Sequence, residues 1–157
     1  MKKLLTYFAV LAAAFVLSCN QNTEKSKQPD ETKTVVDSSA MECYEAIDDL
    51  DTGSLKLLVD ANGQVTGPLI INYLDQGDSN GQIVGSFRGD TLFAHYTFKV
   101  GNNKTTYKNP LAFLKKDGKL ILGVGQIETY LGASSFVKGK PINFERGRFT
   151  FAPVECN

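Results

Sequence analysis

From Leu55 onward, apolar and polar side chains alternate along most of the chain. In "SLKLLVD", Leu55, Leu57 and Val59 alternate with Ser54, Lys56, Leu58 and Asp60. A period of two places successive side chains on opposite faces of an extended strand. Asn62-Gly63 follows, a strong short-range hairpin signal, and Val65, Gly67, Leu69, Ile71 and Tyr73 share the next inner face. "DQGDSNG" turns the chain again, and Ile83, Gly85 and Phe87 lead into the turn Gly89-Asp90. Leu92, Ala94, Tyr96, Phe98 and Val100 then share one face. Further strands are expected at Leu111 to Lys116, at Leu120 to Gln126 after Asp117-Gly118, at Pro141 to Glu145, and at Arg148 to Val154. Eight or nine short strands with regular turn signals predict an all-β domain over residues 40–157, a small antiparallel up-and-down barrel or barrel-like sandwich. No ten-residue segment has helical spacing, although "IETYLGAS" has room for one helical turn.

The alternation is absent upstream. Met1-Lys2-Lys3 is basic, and Leu4 to Leu17 is a fourteen-residue apolar run broken only by the hydroxyls of Thr6 and Tyr7. That is short for a bilayer span of about 20 residues and suits the core of a secretory signal. Val16-Leu17-Ser18-Cys19 resembles the bacterial lipobox, in which the cysteine is acylated and becomes the new amino terminus. Residues 1–18 are thus expected to be a lipoprotein signal peptide, and Cys19 the site of lipidation. Two or more acyl chains would give stable membrane anchoring. Residues 19–39 contain no aromatic side chain, and their strongly apolar residues are Val35 and Val36. Such a segment buries too little surface to offset chain entropy and is expected to be a disordered tether.

Lipidation of Cys19 leaves Cys43 and Cys156, one at each end of the domain. In a secreted chain the simplest arrangement is a disulfide between them, the alternative being two buried free thiols. A disulfide requires Cα atoms within about 7 Å. The first and last strands would then be neighbours, as in a closed barrel, which has no exposed edges.

Charge narrows the partners. Residues 1–18 hold two of the seventeen Lys/Arg and none of the seventeen Asp/Glu, so fifteen basic and seventeen acidic residues remain, a net charge of −2. That balance does not suit a nucleic-acid binder. His95 is the one histidine and falls on the same strand face as Thr91, Phe93, Thr97 and Lys99, the expected solvent side. A triad histidine must touch both a nucleophile and a carboxylate, and a zinc site needs further nitrogen or sulfur ligands. No catalytic residue, metal site or cofactor is therefore expected. "ECYEAIDDLD" lacks the spacing of a calcium loop and reads as a solvated acidic edge. From Lys99 to Lys119 six lysines stand against Asp117, a net +5. Within it, "VGNNKTTYKNP" reads as the longest loop in the domain. Asn102, Asn103, Lys104, Tyr107 and Lys108 are candidate contacts to an anionic sugar or an acidic protein patch. The acidic and basic segments would also suit packing against each other. Tyr73, Phe87, Tyr96 and Phe98, if inward, would line a lumen or fill it as core.

Val65 to Phe98, Leu111 to Gly125 and the end cysteines resemble a group of small Bacteroidetes-type lipoproteins. Gly89-Asp90-Thr91-Leu92 leading into Tyr96-Thr97-Phe98 is the strongest piece. The resemblance implies a β fold and a place in the cell envelope, on the outer membrane. In outline the barrel is also similar to lipocalins, lysozyme-inhibitor lipoproteins and the barrel of copper-stress lipoproteins. The chain has no tryptophan for a lipocalin Gly-x-Trp start and no Cys-x-x-Cys. Asp90-Thr91-Leu92 matches a short O-glycosylation signal of these bacteria, with Thr91 the acceptor. The expected function is that of a lipid-anchored, non-enzymatic binding module for a small apolar ligand or an envelope protein. The alternative is a structural or assembly component of the envelope acting by protein contact, with a hydrolytic enzyme third.

Overall fold

A computed structural model describes residues 40–157; the signal peptide, Cys19 and the tether expected from the sequence lie outside them. Ten strands follow one another: β1 (Ala40–Asp48), β2 (Asp51–Val59), β3 (Gln64–Asn72), β4 (Ser79–Arg88), β5 (Thr91–Val100), β6 (Tyr107–Lys116), β7 (Lys119–Leu122), β8 (Ile127–Tyr130), β9 (Ala133–Phe136) and β10 (Thr150–Val154). Eight close into an antiparallel barrel in the order β1-β10-β7-β6-β5-β4-β3-β2, and β8 and β9 form a separate two-stranded sheet. The predicted all-β barrel is therefore present, an up-and-down meander interrupted by one excursion between β7 and β10.

The alternation seen in the sequence becomes inside and outside. Leu55 and Leu57 of β2, Val65 and Leu69 of β3, Ile83 of β4, Leu92 of β5, Phe113 of β6, Leu120 of β7 and Phe151 of β10 are buried in one core. Tight turns at Asn62-Gly63, Gly89-Asp90 and Asp117-Gly118 join strands at the end where the chain begins β1; this is the near end. At the far end lie the β1–β2 turn, the segments 73–78 and 101–106, and the excursion. β4 is bent hard against β5, since a Cβ on Gly85 would stand 2.1 Å from the Phe93 carbonyl oxygen, and one on Gly81 2.1 Å from that of Thr97. Glycine there permits a backbone approach that no side chain allows.

Four expected elements differ. β1 is a full strand, although "ECYEAIDDLD" reads as an acidic edge: Tyr44 and Ala46 point inward and are buried, while Glu42 and Asp48 mark the two ends of the same inner face. β7 stops at Leu122 rather than Gln126, and Pro141 to Glu145 is no strand but a loop tied by a single bridge, Val124 to Asn143. "IETYLGAS" is a hairpin, not a helical turn; Leu131 and Gly132 at its tip both have positive φ, 48° and 79°. Packing produces this change. A Cβ on Gly123 would meet Ile142 at 2.5 Å and Phe144 at 2.7 Å, and one on Gly125 would meet Phe136 at 2.7 Å. The glycines let these apolar side chains fold down onto the strand's continuation.

Cys43 and Cys156 form a disulfide, Cα atoms 5.3 Å apart, beside the β1–β10 pairing that closes the barrel. The bond ties residues 113 apart in sequence. Replacing both cysteines with serine is expected to lower unfolding free energy by about 4–5 kcal/mol on the chain-entropy account. Urea melts of the two proteins measure this, and equal midpoints would show that closure does not depend on the bond.

Candidate functional site

The lumen is occupied along its middle by the core side chains, and each end carries a polar cluster. At the near end the Tyr44 hydroxyl donates to Glu42, which also pairs with Lys115 at 3.3 Å. Lys115 in turn lies 5.9 Å from the Phe87 ring centroid. The Tyr44 hydrogen bond, then Lys115, hold the Glu42 carboxyl below its ordinary value against the opposing effect of burial. At the far end Arg148 donates to Asp48 at 2.6 Å and to Asp51 at 2.7 Å. Asp51 also accepts from the Leu74 amide at 2.9 Å. That amide, then Arg148, lower the Asp51 pKa. Packing of the acidic β1–β2 segment against the Lys99–Lys119 segment is thus realised in one pair, Lys115–Glu42, while Asp48 and Asp51 take Arg148 instead.

The four candidate lumen aromatics divide. Tyr96 is buried, its hydroxyl donating to the Leu69 carbonyl at 2.9 Å and sharing a 2.8 Å hydrogen bond with Ser79. Burial raises its pKa. Phe98 stacks on Tyr96 at 4.5 Å between centroids, and Tyr73 meets Phe149 edge-on. Tyr73, Tyr96 and Phe98 line a depression of about 380 Å³ at the far mouth, together with Asn109, Leu122 and Arg148. It exists because β7 is four residues long: β6 pairs with it only from Phe113 onward, leaving the far half of β6 without a partner on that side. Phe87 is at the opposite end and shares nothing with this group.

The candidate loop residues are also at the far end. Asn102, Asn103 and Lys104 are exposed in the segment between β5 and β6, whereas Tyr107 and Lys108 belong to β6 itself, so the loop is shorter than the sequence suggests. Asn103 holds the segment in shape by accepting from the Thr105 amide and donating to the Tyr107 hydroxyl, and Tyr107 packs against Phe98 at 5.6 Å. The asparagine thus serves the loop's own geometry. Lys104 and Lys108 are exposed.

A larger concavity is on the outer wall, where the sequence pointed to no binding residue. Outward residues of a barrel strand are ordinarily wet, yet Pro110 is buried and Ala112 is 0% exposed. The excursion covers them. It folds back over β4, β5 and β6 and leaves a groove of about 780 Å³ between itself and the barrel. Val84, Phe93, His95 and Pro110 form the barrel side; Phe136, Ile142 and Phe144 form the excursion side. Arg88, Lys138 and Lys140 stand in the same lining, and no Asp or Glu does. Lys138 and Lys140 belong to the turn Val137-Lys138-Gly139-Lys140, closed by the Lys140 amide donating to the Val137 carbonyl at 3.2 Å, with Gly139 at φ 77°. Positive φ at the third position suits glycine in a type II turn. The Val137 amide donates to the Gln126 carbonyl at 2.9 Å, fixing the turn to the residue just before β8. His95 faces outward as expected, and Thr91 also lies in the groove's lining. Thr91 is the first residue of β5 rather than a turn residue. The available signal for this site was "FVKGK": a turn glycine between two lysines, directly after an aromatic.

Among the described residues, no group of three or more His, Cys, Asp or Glu is placed to hold a metal ion. No protein-family model, curated protein or solved structure matches the chain.

Two predictions follow from the polar clusters and the buried tyrosine. Glu42 and Asp51 have folded pKa values below their ordinary ones, so around pH 4 the unfolded chain binds more protons than the folded one. Their contribution is complete above about pH 5 and is lost as pH falls through the folded values. Urea midpoints measured downward from neutrality should drop in acid, and drop less in the Glu42→Gln/Asp51→Asn double variant; identical acid slopes would exclude these groups as the cause. Tyr96→Ala is expected to lose roughly 3–5 kcal/mol, as for large aromatics in cores, and Tyr96→Phe about 1–3 kcal/mol by leaving buried Ser79 without its partner. Near-wild-type stability in Tyr96→Ala would instead make Tyr96 a pocket residue.

Proposed function

We propose that this protein is a non-enzymatic binding module, held in the cell envelope by an acylated Cys19, that carries a small ligand with an apolar body. The observation that carries this reading is the groove on the outer wall. A ligand site is typically a concavity of about 300–1,000 Å³, mostly apolar, with a few placed polar groups. The groove has that size, and the chain uses the twenty-seven residues between β7 and β10 to build one wall of it. The middle of the lumen, where ligand-carrying barrels hold their cargo, is filled by large side chains, as small eight-stranded barrels commonly are. The resemblance to small Bacteroidetes-type lipoproteins supports the envelope address, and the lipobox-like Val16-Leu17-Ser18-Cys19 supports the anchor.

A second reading, an assembly component acting by protein contact, rests on the tip of the β8–β9 hairpin. Tyr130 is 76% and Leu131 89% exposed, and Leu131 occupies a left-handed conformation that disfavours a branched side chain. A strained, exposed apolar residue is a reason to look for a partner.

Native mass spectrometry of the protein purified from its own membranes, compared with its denatured mass, separates the two readings. The expected result is a mass excess that disappears on unfolding, with labelled palmitate entering the wild type but not Cys19→Ala. Equal masses after lipid and any glycan are counted would reject the carrier reading and leave the hairpin tip as the place to seek a partner.

A further inference from the structure

We infer that the outer groove selects an amphipathic carboxylate, its acyl body against the barrel wall and its anionic head toward the Lys138–Lys140 turn. The inference rests on the groove being the binding site and adds the ligand's charge. Three cations enter the lining, and no carboxylate answers them there. Of the twelve Lys and Arg among the described residues, two stand in ion pairs, Lys115 with Glu42 and Arg148 with Asp48 and Asp51. Arg88, Lys138 and Lys140 take no part in those pairs. The lysines are also not carried on a loose loop. They occupy the second and fourth positions of a turn closed by one backbone hydrogen bond and tied to Gln126 by another.

The chemistry on each side differs. Val84, Phe93, Pro110, Phe136 and Ile142 offer apolar surface to a chain, and the turn offers two ammonium groups to one head. Arg88 lies over the Phe93 ring at 5.1 Å, so its charge contributes to the potential while its guanidinium is partly occupied. A neutral ligand would displace water from these cations and offer them no opposite charge in return. A cationic amphiphile would be repelled. A polyanion would find one basic turn at the edge of an apolar wall, with little to hold its further charges.

His95 makes the test direct, because it lines the groove and is the chain's single histidine. Its imidazole proton resonances are followed in the full-length protein during titration with decanoate, 1-decanol and decyltrimethylammonium, each below its aggregation threshold. Decanoate is expected to shift the His95 signals and to bind at least about tenfold more tightly than 1-decanol, with affinity falling as salt rises. In Lys138→Gln/Lys140→Gln, two exposed positions, decanoate affinity should fall to the 1-decanol level while 1-decanol binding and the melting temperature stay unchanged. Equal affinity for the acid and the alcohol, or tighter binding of the ammonium, would overturn the inference and leave the groove as an apolar site. Decanoate preference that survives the double variant would overturn the assignment to this turn. If no ligand moves His95, the inference and the binding reading of the groove both fail, whereas failure of anion selectivity alone touches only the first.

Discussion

Closure between β1 and β10 is the constraint on which the rest of the barrel depends. β10 is five residues long and pairs β7 at only two positions, Thr150 with Ile121 and Phe151 with Leu120. It pairs β1 at three, from Cys43 opposite Val154 to Glu45 opposite Ala152. So short a closing strand contributes few ladder hydrogen bonds. The inward rings of Phe149 and Phe151, packed against each other with Phe151 also against Phe113, supply apolar burial at the seam, and the Cys43–Cys156 disulfide fixes its near end. The Arg148 pairs with Asp48 and Asp51 fix its far end. Without closure, β1 and β10 would each present an unpaired edge.

Closing a sheet of eight strands leaves an interior that side chains can fill, and here they do. This decides where binding is possible. The packed middle of the core has no room; the barrel itself keeps a depression of about 380 Å³ at its far mouth, and the larger concavity comes from something added to the barrel. The addition is the excursion between β7 and β10. It buries outward residues of β6, carries its own apolar side chains Phe136, Ile142 and Phe144, and meets the barrel across a gap rather than a continuous contact. An isolated two-stranded sheet is marginal in water; here β9, half-buried at Ser134 and Phe136, lies against β6 and carries the exposed β8 as its partner.

How much of this the sequence disclosed follows from the physics of each signal. Strands β2 to β5 and the second half of β6 were legible because the middles of their inner faces are apolar and their turns use glycine with Asn or Asp; the first half of β6 read as loop. β1 was not legible, because its inner face runs Glu42, Tyr44, Ala46, Asp48: the ends of a barrel strand reach the ends of the barrel, where charge is tolerated and paired. The disulfide was legible from cysteine arithmetic, since only two cysteines remained in the domain. The groove was not legible. It joins Val84, Phe93 and Pro110 to Phe136 and Lys138, and no local period encodes that juxtaposition. The glycines at 123 and 125 were visible, but as strand glycines, because the side chains that press on them lie up to about twenty residues further along.

The excursion also shows why local consistency differs between its two ends. At the groove, Val137-Lys138-Gly139-Lys140 places glycine where the backbone needs positive φ, so the turn is relaxed and its lysines are held without strain. At the hairpin tip, the same need falls on Leu131 before Gly132, where asparagine or aspartate would be the relaxed choice. Exposure gives no packing return for that leucine. Natural sequences are locally consistent with their folds except where another demand intervenes. The relaxed turn therefore suits the proposed role of holding a ligand's head in a fixed place. The strained tip carries an apolar side chain into solvent at an energetic cost that its own hairpin does not recover.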